Sequence, residues 1–375
     1  MRNFFCAAAV QTFEEDGNAT KNRDKGSEAV SNIKTGNIKT CNMTRSERVC
    51  RALLIVMICV ASLWGMWQIL VPKPVIADNT PPVPSRPATT PVTPISRPAE
   101  TAKPAEEEPT EEPVTPYKRR EDCWTFLLVG MDRGEGNTDS LMLVTYDVAE
   151  QTVSVASIAR DLRVDVDRKL KKINAAYAVS GGIDGLKREV SMTFGVPIDY
   201  YFRVNLRGFI RLVNAVDGID YSVPCYMNYD DPDQDLYIHY SKGMQHLNGQ
   251  QAMEVCRFRQ NNDGSGYGDE GRQKTQRGVL TAVIKKALSH PDRINDYLSI
   301  AAENLDTDMS LSELAWFATK ALSFNTENLN LMSMPCEWKN PYMYLDADAT
   351  LEMVNTYFNP YVLPRTADQL DIITR

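Results

Sequence analysis

Apolar positions are distributed along this 375-residue chain in three ways. Residues 1–51 show no apolar period and read as a disordered tail. Residues 52–71, from Ala52 to Val71, are apolar almost throughout and carry no charge. At about 1.5 Å per residue they match the roughly 30 Å hydrocarbon core of a bilayer. The stretch is too long, and too far from the N-terminus, for a signal peptide, so the expectation is a transmembrane helix. Beyond residue 118, short apolar runs alternate with helical stripes.

Within that last part, Phe126–Val129, Leu141–Tyr146 and Val153–Ile158 read as strands. Lys171–Tyr177 opens a helix that fades at Ser180–Gly182, and Gly185–Phe194 gives another. A strand over Asp199–Asn205 precedes an amphipathic helix over Arg207–Val216 and a strand over Ile219–Val223. Asn248 is a candidate N-cap for a helix through Gln251. Val279, Leu280, Val283, Ile284, Ala287 and Leu288 form one helix face. Helices near Asp292–Asn304 and after Ser310, a strand Leu329–Met334 and a helix Ala349–Tyr357 complete the set. Strands alternating with helices predict an α/β fold, a mixed central β-sheet with helices on both faces, preceded by one transmembrane helix.

Composition then divides the chain. Thirteen of its 21 prolines lie between Pro72 and Pro116, interleaved with Glu106–Glu108, Glu111 and Glu112. Residues 72–118 therefore read as a Pro/Glu-rich linker that favours extended polyproline II. On a single-span anchor it is either a spacer lifting a domain off the membrane or a plain tether. Lys34, Lys39, Arg45, Arg48 and Arg51 precede the span with only Glu47 against them, whereas Lys73 is the sole nearby cation after it. Cationic flanks stay in the cytoplasm, which puts residues 1–51 inside and the domain 119–375 outside the cell membrane. The net charge of −8 falls on that domain, because tail and linker nearly cancel. An acidic external domain is a poor nucleic-acid partner. Cys123, Cys225, Cys256 and Cys336 are free to pair outside the cell, but their spacing gives no connectivity and no metal motif.

Candidate chemistry concentrates between Gln251 and Leu280. Projected back one and two turns, the stripe that begins at Val279 runs into Gln276 and Arg272, so the start of this helix aims a guanidinium at the buried side. A buried charge is costly unless an anion meets it. Either Arg272 pairs internally with Asp269 or Glu270, or Arg257, Arg259, Arg272 and Arg277 together grip a phosphate-sized anion, to which guanidinium geometry is suited. Asp132 and Asp139 flank a Gly-rich loop after the first strand, and Arg160-Asp161 ends the third. In an open α/β sheet, strand ends are where ligands bind. The two aspartates either hold a hard cation such as Mg²⁺ or shape the turn.

Many of these pieces, in this order, resemble the LytR-CpsA-Psr family over roughly residues 124–360. They are Phe-Leu-Leu-Val-Gly-Met-Asp132, Thr-Asp139-Ser140, Ser-Ile-Ala-Arg160-Asp161, Lys172-Ile-Asn-Ala-Ala-Tyr177, Val-Asp-Gly-Ile-Asp220, Gly-Met-Gln-His-Leu-Asn-Gly, Arg257-Phe-Arg259 and Gly-Asp269-x-Gly-Arg272-x-x-x-Gln276. The resemblance implies an α/β/α phosphotransferase that moves a glycopolymer, such as teichoic acid or capsule, from an undecaprenyl pyrophosphate carrier to a peptidoglycan acceptor. It implies pyrophosphate-holding arginines at Arg160, Arg257, Arg259 and Arg272, with Lys172 and Gln276 close by. It also implies a Mg²⁺ site, with Mn²⁺ as an alternative, at Asp132 and Asp139, and an apolar tunnel for the lipid. Asp139 or Asp161 would take the acceptor's proton. The sequence departs from the family pattern at Ala159, where the family has proline. It lacks an arginine in Asn261–Tyr267, and Arg277 stands two residues beyond the usual second arginine of the helix. Two rivals remain: a polyprenyl-phosphate carrier without chemistry, which would dispense with the metal-binding aspartates, and a cell-envelope transcriptional attenuator, which the acidic external domain disfavours.

Overall fold

Three consecutive apolar runs become the middle of one sheet. The computed structural model describes residues 57–58, 71–76, 117–131 and 138–373. The expected span 52–71 lies almost wholly outside these residues, as do residues 1–51, most of the linker and Asp132. Among the described residues no helix is long and apolar enough to cross a membrane. The chain divides into units 1–62 and 63–375; the second carries the fold.

Strands β1 (Cys123–Met131), β2 (Thr138–Asp147) and β3 (Thr152–Ile158) form an antiparallel meander. Strand β4 (Tyr200–Val204) joins β1 in parallel, and β10 (Leu329–Ser333) joins β3 in parallel. With the short β9 (Asp306–Thr307) the order is β10-β3-β2-β1-β4-β9, a mixed sheet as expected. The period-two alternation of a strand splits its residues between two cores. Leu127, Val129, Leu141, Leu143, Ala156 and Ile158 face one side, where Leu186, Val190 and Phe194 of the helix Gly182–Phe194 cover them. Trp124, Phe126, Met142, Val144 and Val155 face the other, against Trp316. Burial on both faces explains why these runs are apolar nearly throughout.

A second lobe has its own core. It contains the helices Leu206–Ala215, Gly249–Arg257 and Gly268–Leu288, which we call α3, α4 and α5 after the short α1 (Ala176–Val179) and α2 (Gly182–Phe194). Asn248 caps α4 as expected, its side chain accepting from the Gln251 N–H. Two further helices, α6 (Ile294–Asn304) and α7 (Leu311–Ala321), follow, and α8 (Ala347–Met353) widens into an i→i+5 turn at Val354–Phe358. The sequence pattern did not yield the hairpin of β6 (Met227–Asp231) with β7 (Leu236–Tyr240), the pairing of β5 (Ile219–Val223) with β8 (Gly243–Leu247), or the hairpin of β11 (Cys336–Lys339) with β12 (Tyr342–Leu345). These strands are only four or five residues long, too short for their own pattern to mark a partner.

The first residues of the linker are no free spacer. Val71 and Ile76 pack against the Trp124 cluster, Pro74 is buried, and Lys73 Nζ lies 2.9 Å from Asp122 Oδ1. The domain thus holds residues 71–76.

Candidate active site

The site forms where β2 starts and β3 ends. Leu141 pairs with Ile158 across these strands, so two more steps of register place Asp139 opposite Arg160. Arg160 Nη1 lies 3.2 Å from Asp139 Oδ1. Beyond Arg160 the chain turns back, and the next segment is stitched onto it: Ile173 N donates to Leu162 O (2.9 Å) and Asn174 N to Arg160 O (3.2 Å). That turn delivers Lys172 to Asp161, with Nζ 2.9 Å from Oδ1. The β11–β12 hairpin braces the other edge, where Met343 N donates to Asp161 O and Arg163 N to Met343 O.

The second wall comes from the connection of α4 to α5. Phe258 is extended and fully buried, so the residues on either side of it, Arg257 and Arg259, stay at the surface of the core. A tight loop then returns the chain to Arg259, whose carbonyl accepts from Tyr267 N and Gly268 N. Gly266 is required there, because a Cβ would stand 2.5 Å from that carbonyl oxygen and φ is 155°. Helix α5 starts at Gly268 and puts Arg272 inside, with its side chain 5% exposed. Arg272 Nη2 reaches Asp269 Oδ1 at 2.6 Å, the internal pair that one sequence reading anticipated. Arg259 Nε approaches the same oxygen at 3.7 Å. One turn on, Gln276 accepts from Ser140 Oγ (3.0 Å) and donates to Cys256 O (3.3 Å), tying β2 to both helices. The resulting cleft is lined by Asp139, Ser140, Arg160, Arg272, Gln273 and Gln276.

Positive charge is in excess here. Burial pushes the Arg272 guanidinium down to about 10; Arg259 and Arg160 push the same way, while Asp269 and Asp139 oppose them. Arg259 is lowered by burial and by Arg160, against Asp269, Asp139 and Asp161. Arg277 and Arg365 are also lowered by burial, but no cation adds to the effect in either. Arg259 and Arg272 share a carboxylate that is 41% exposed, and Asp161 is engaged by Lys172. An anion entering the cleft would relieve this repulsion. The Nε atoms of Arg160, Arg259 and Arg272 have no hydrogen-bond partner, although Arg119 and Arg120 share that feature far from the cleft.

Of the expected residues, Asp139, Arg160, Asp161, Lys172, Arg259, Arg272 and Gln276 come together. Arg257 is held apart, Nη2 donating to Gln234 Oε1 at 2.5 Å. Arg277 turns to the sheet, where Nη1 donates to Ser157 Oγ (2.6 Å) and Ser333 Oγ (2.9 Å). Asp132 lies outside the described residues. Among the described residues no three His, Cys, Asp or Glu side chains group as a metal site, and the four cysteines are unpaired thiols. Sequence reasoning gave no role to Ser140, although it directly follows Asp139, and did not foresee Gln234 as the partner of Arg257; no local signal marks the latter.

Known proteins share this arrangement of sequence and fold. The polyisoprenyl-teichoic acid–peptidoglycan teichoic acid transferase TagV of Bacillus subtilis (strain 168) is 32% identical over 243 residues, 60% of this chain and 61% of that protein. The TagU transferase of Bacillus mycoides (strain KBAB4) is 37% identical over 197 residues, 51% of this chain and 62% of its own. The chain thus spans about three fifths of the length of these relatives. The crystal structure of B. subtilis TagV superposes with a TM-score of 0.54 at 29% identity, covering 63% of this chain and 96% of that one. A structure from Streptococcus agalactiae, protein gbs0355, gives 0.55 at 26% identity, covering 63% and 86%. Residues 92–359 match the LytR_cpsA_psr family, and the chain belongs to that family.

Proposed function

We propose that the cleft binds the pyrophosphate of a polyisoprenyl-linked glycopolymer, teichoic acid or a similar polymer, and transfers the glycopolymer as a sugar phosphate to a hydroxyl of peptidoglycan. One observation carries this reading: Arg259 and Arg272 converge on a single half-exposed carboxylate beside Arg160, leaving unneutralised positive charge where β2 starts and β3 ends. The names of the transferases TagV and TagU, 32% and 37% identical, support the choice of substrate class. Residues 1–51 would be cytoplasmic, 52–71 would span the membrane, and 119–375 would work outside the cell at the end of the 72–118 linker.

In-line transfer needs the reacting phosphorus held still and the charge on its oxygens cancelled as the bond to the leaving oxygen lengthens. Arg160, Arg259 and Arg272 supply that charge. Arg257, on the same side of Phe258 as Arg259, adds an outer contact. The acceptor hydroxyl attacks the sugar-linked phosphorus, and its proton passes to Asp161 or Asp139. The bridging P–O bond breaks and the polyisoprenyl monophosphate departs. Lys172 keeps the Asp161 carboxylate in place, and Gln276 fixes the start of β2 against α5. The donor set suits a hard cation: Asp139, 41% exposed and pairing only Oδ1 with Arg160, would hold Mg²⁺ or Mn²⁺ together with Asp132. Substrate phosphate oxygens would supply its remaining ligands. Such an ion, when bound, neutralises charge on the transferred phosphate.

Titration with farnesyl pyrophosphate tests the reading. The wild-type chain should bind it, and Arg259→Ala should weaken binding and lower transfer about 100-fold or more, as loss of a charge-stabilising donor does. Unchanged binding in Arg259→Ala would refute the assignment of the cleft.

A further inference from the structure

Helix α7 has the wrong surface for water. Its residues Leu311, Ala315, Ala318 and Leu322 repeat at the spacing of one helix face and continue one residue past its end. That face points away from the protein: Leu311 is 65% exposed and Leu322 45%. Only Trp316 of this helix is buried, among the Trp124 cluster. The helix has two charged side chains, Glu313 and Lys320, and neither lies on the outer stripe. Glu313 is turned inward to the Tyr200 hydroxyl, and Lys320 sits over the Trp316 ring, 5.3 Å from its centre. A helix apolar on both its inner and its outer side is normally covered.

The chain itself says what covers it. Val71 and Ile76 pack on the same Trp124 cluster that Trp316, Phe317 and Leu314 of α7 complete. Lys73 pairs with Asp122 and lies over the Trp124 ring at 5.6 Å. Val71 is the last residue of the uncharged apolar stretch 52–71. An extended chain covers at most about 3.5 Å per residue, so Lys73 lies within roughly 7 Å, and Ile76 within roughly 18 Å, of the end of that stretch.

We infer that α7 and the Val71–Ile76 segment form a face that rests on the outer surface of the bilayer, with Leu311 and Leu322 reaching into its interfacial layer. The inference rests on residues 52–71 spanning the membrane. It also brings the reaction close to the lipid. Leu280 of α5 packs on this same cluster, and eight residues earlier on that helix, about 12 Å, stands Arg272. The pyrophosphate of a polyisoprenyl carrier could therefore meet the arginines without leaving the membrane surface. The linker between residues 77 and 116 would then not set the height of the domain.

The test uses the full-length chain in vesicles containing phosphatidylglycerol, with Leu311, Leu322 or, as control, Met244 replaced by the photoreactive benzoylphenylalanine. Met244 is 72% exposed on β8, at the second lobe. Mass spectrometry should find roughly tenfold more lipid adduct at positions 311 and 322 than at 244. All three positions are exposed, and an unchanged Tm for each variant confirms folding. Equal adducts at the three positions, or cross-links from 311 and 322 to a second copy of the chain, would overturn the inference. A chain released from the vesicles by alkaline carbonate would refute the span and the docking face together. A chain that stays bound with no adduct at 311 or 322 would refute the docking face alone.

Discussion

Arg119 and Arg272 are buried to the same degree, their side chains 6% and 5% exposed, yet they are held in opposite ways. Arg119 forks Asp199, Nη1 to Oδ1 at 3.0 Å and Nη2 to Oδ2 at 2.8 Å, and Nη2 also reaches Cys123 O. Asp199 is itself 5% exposed and further accepts from Thr125 N at 2.8 Å. That carboxylate belongs to one arginine. Arg272 makes one short contact to Asp269, which is 41% exposed and shared with Arg259. A buried guanidinium with a dedicated, buried carboxylate is part of the fold. A buried guanidinium that shares an exposed carboxylate with another arginine has room for an incoming anion, and that difference separates scaffold from site more sharply than burial does.

Substitutions sharpen the contrast. Asp199→Ala strands Arg119 and the Thr125 N–H in the interior and should cost about 3–5 kcal/mol, read as a large fall in Tm. A fall of less than about 1 kcal/mol would mean that the closed pair is not structural. At the other end, Asp139→Asn should leave Tm nearly unchanged but lower transfer by about two orders of magnitude while pyrophosphate still binds. Chelation should act in the same way, and full activity in chelator would remove the metal from the scheme. Arg277 tests an intermediate case, a buried arginine bonded to two serine hydroxyls. Arg277→Ala should cost about 1.5–3 kcal/mol of stability, with the loss of transfer no greater than unfolding explains. The smallest effect is expected for Arg257→Ala, whose partner is the neutral Gln234: within about 0.5 kcal/mol in stability and roughly tenfold in transfer. A loss as large as that of Arg259→Ala would show that Arg257 swings into the cleft when substrate binds.

The site was legible in part because its residues lie at the ends of regular elements. Arg160 and Asp139 follow from the β2–β3 register, and the inward aim of Arg272 follows from the helical stripe that begins at Val279. Arg257 and Arg277 show where such reasoning stops. They lie two and one residues from Arg259 and Gln276, and sequence proximity suggested a common ligand. Arg257 is the last residue of α4 and is held by Gln234, while in α5 a step of one helical residue turns a side chain by about 100°. Arg277 therefore faces Ser157 and Ser333 while Gln276 faces Ser140. The β6–β7 and β11–β12 hairpins were missed because their strands are only four or five residues long, and β6, Met-Asn-Tyr-Asp-Asp, has few apolar positions to read.

What the sequence determined by itself is whatever depends on local period and composition. This includes the buried meander β1–β3, the capped helix α4, the acidic domain after a proline-rich segment, and the cationic residues gathered near strand ends and the start of α5. What only the tertiary structure decided is which charges meet. Asp269 serves two arginines, Asp161 is occupied by Lys172, and Lys73 reaches across to Asp122, fastening the first linker residues to the Trp124 cluster. These pairs join residues whose separation along the chain ranges from three to 49, and a Coulomb interaction depends on distance in space and on burial, neither of which a linear pattern contains.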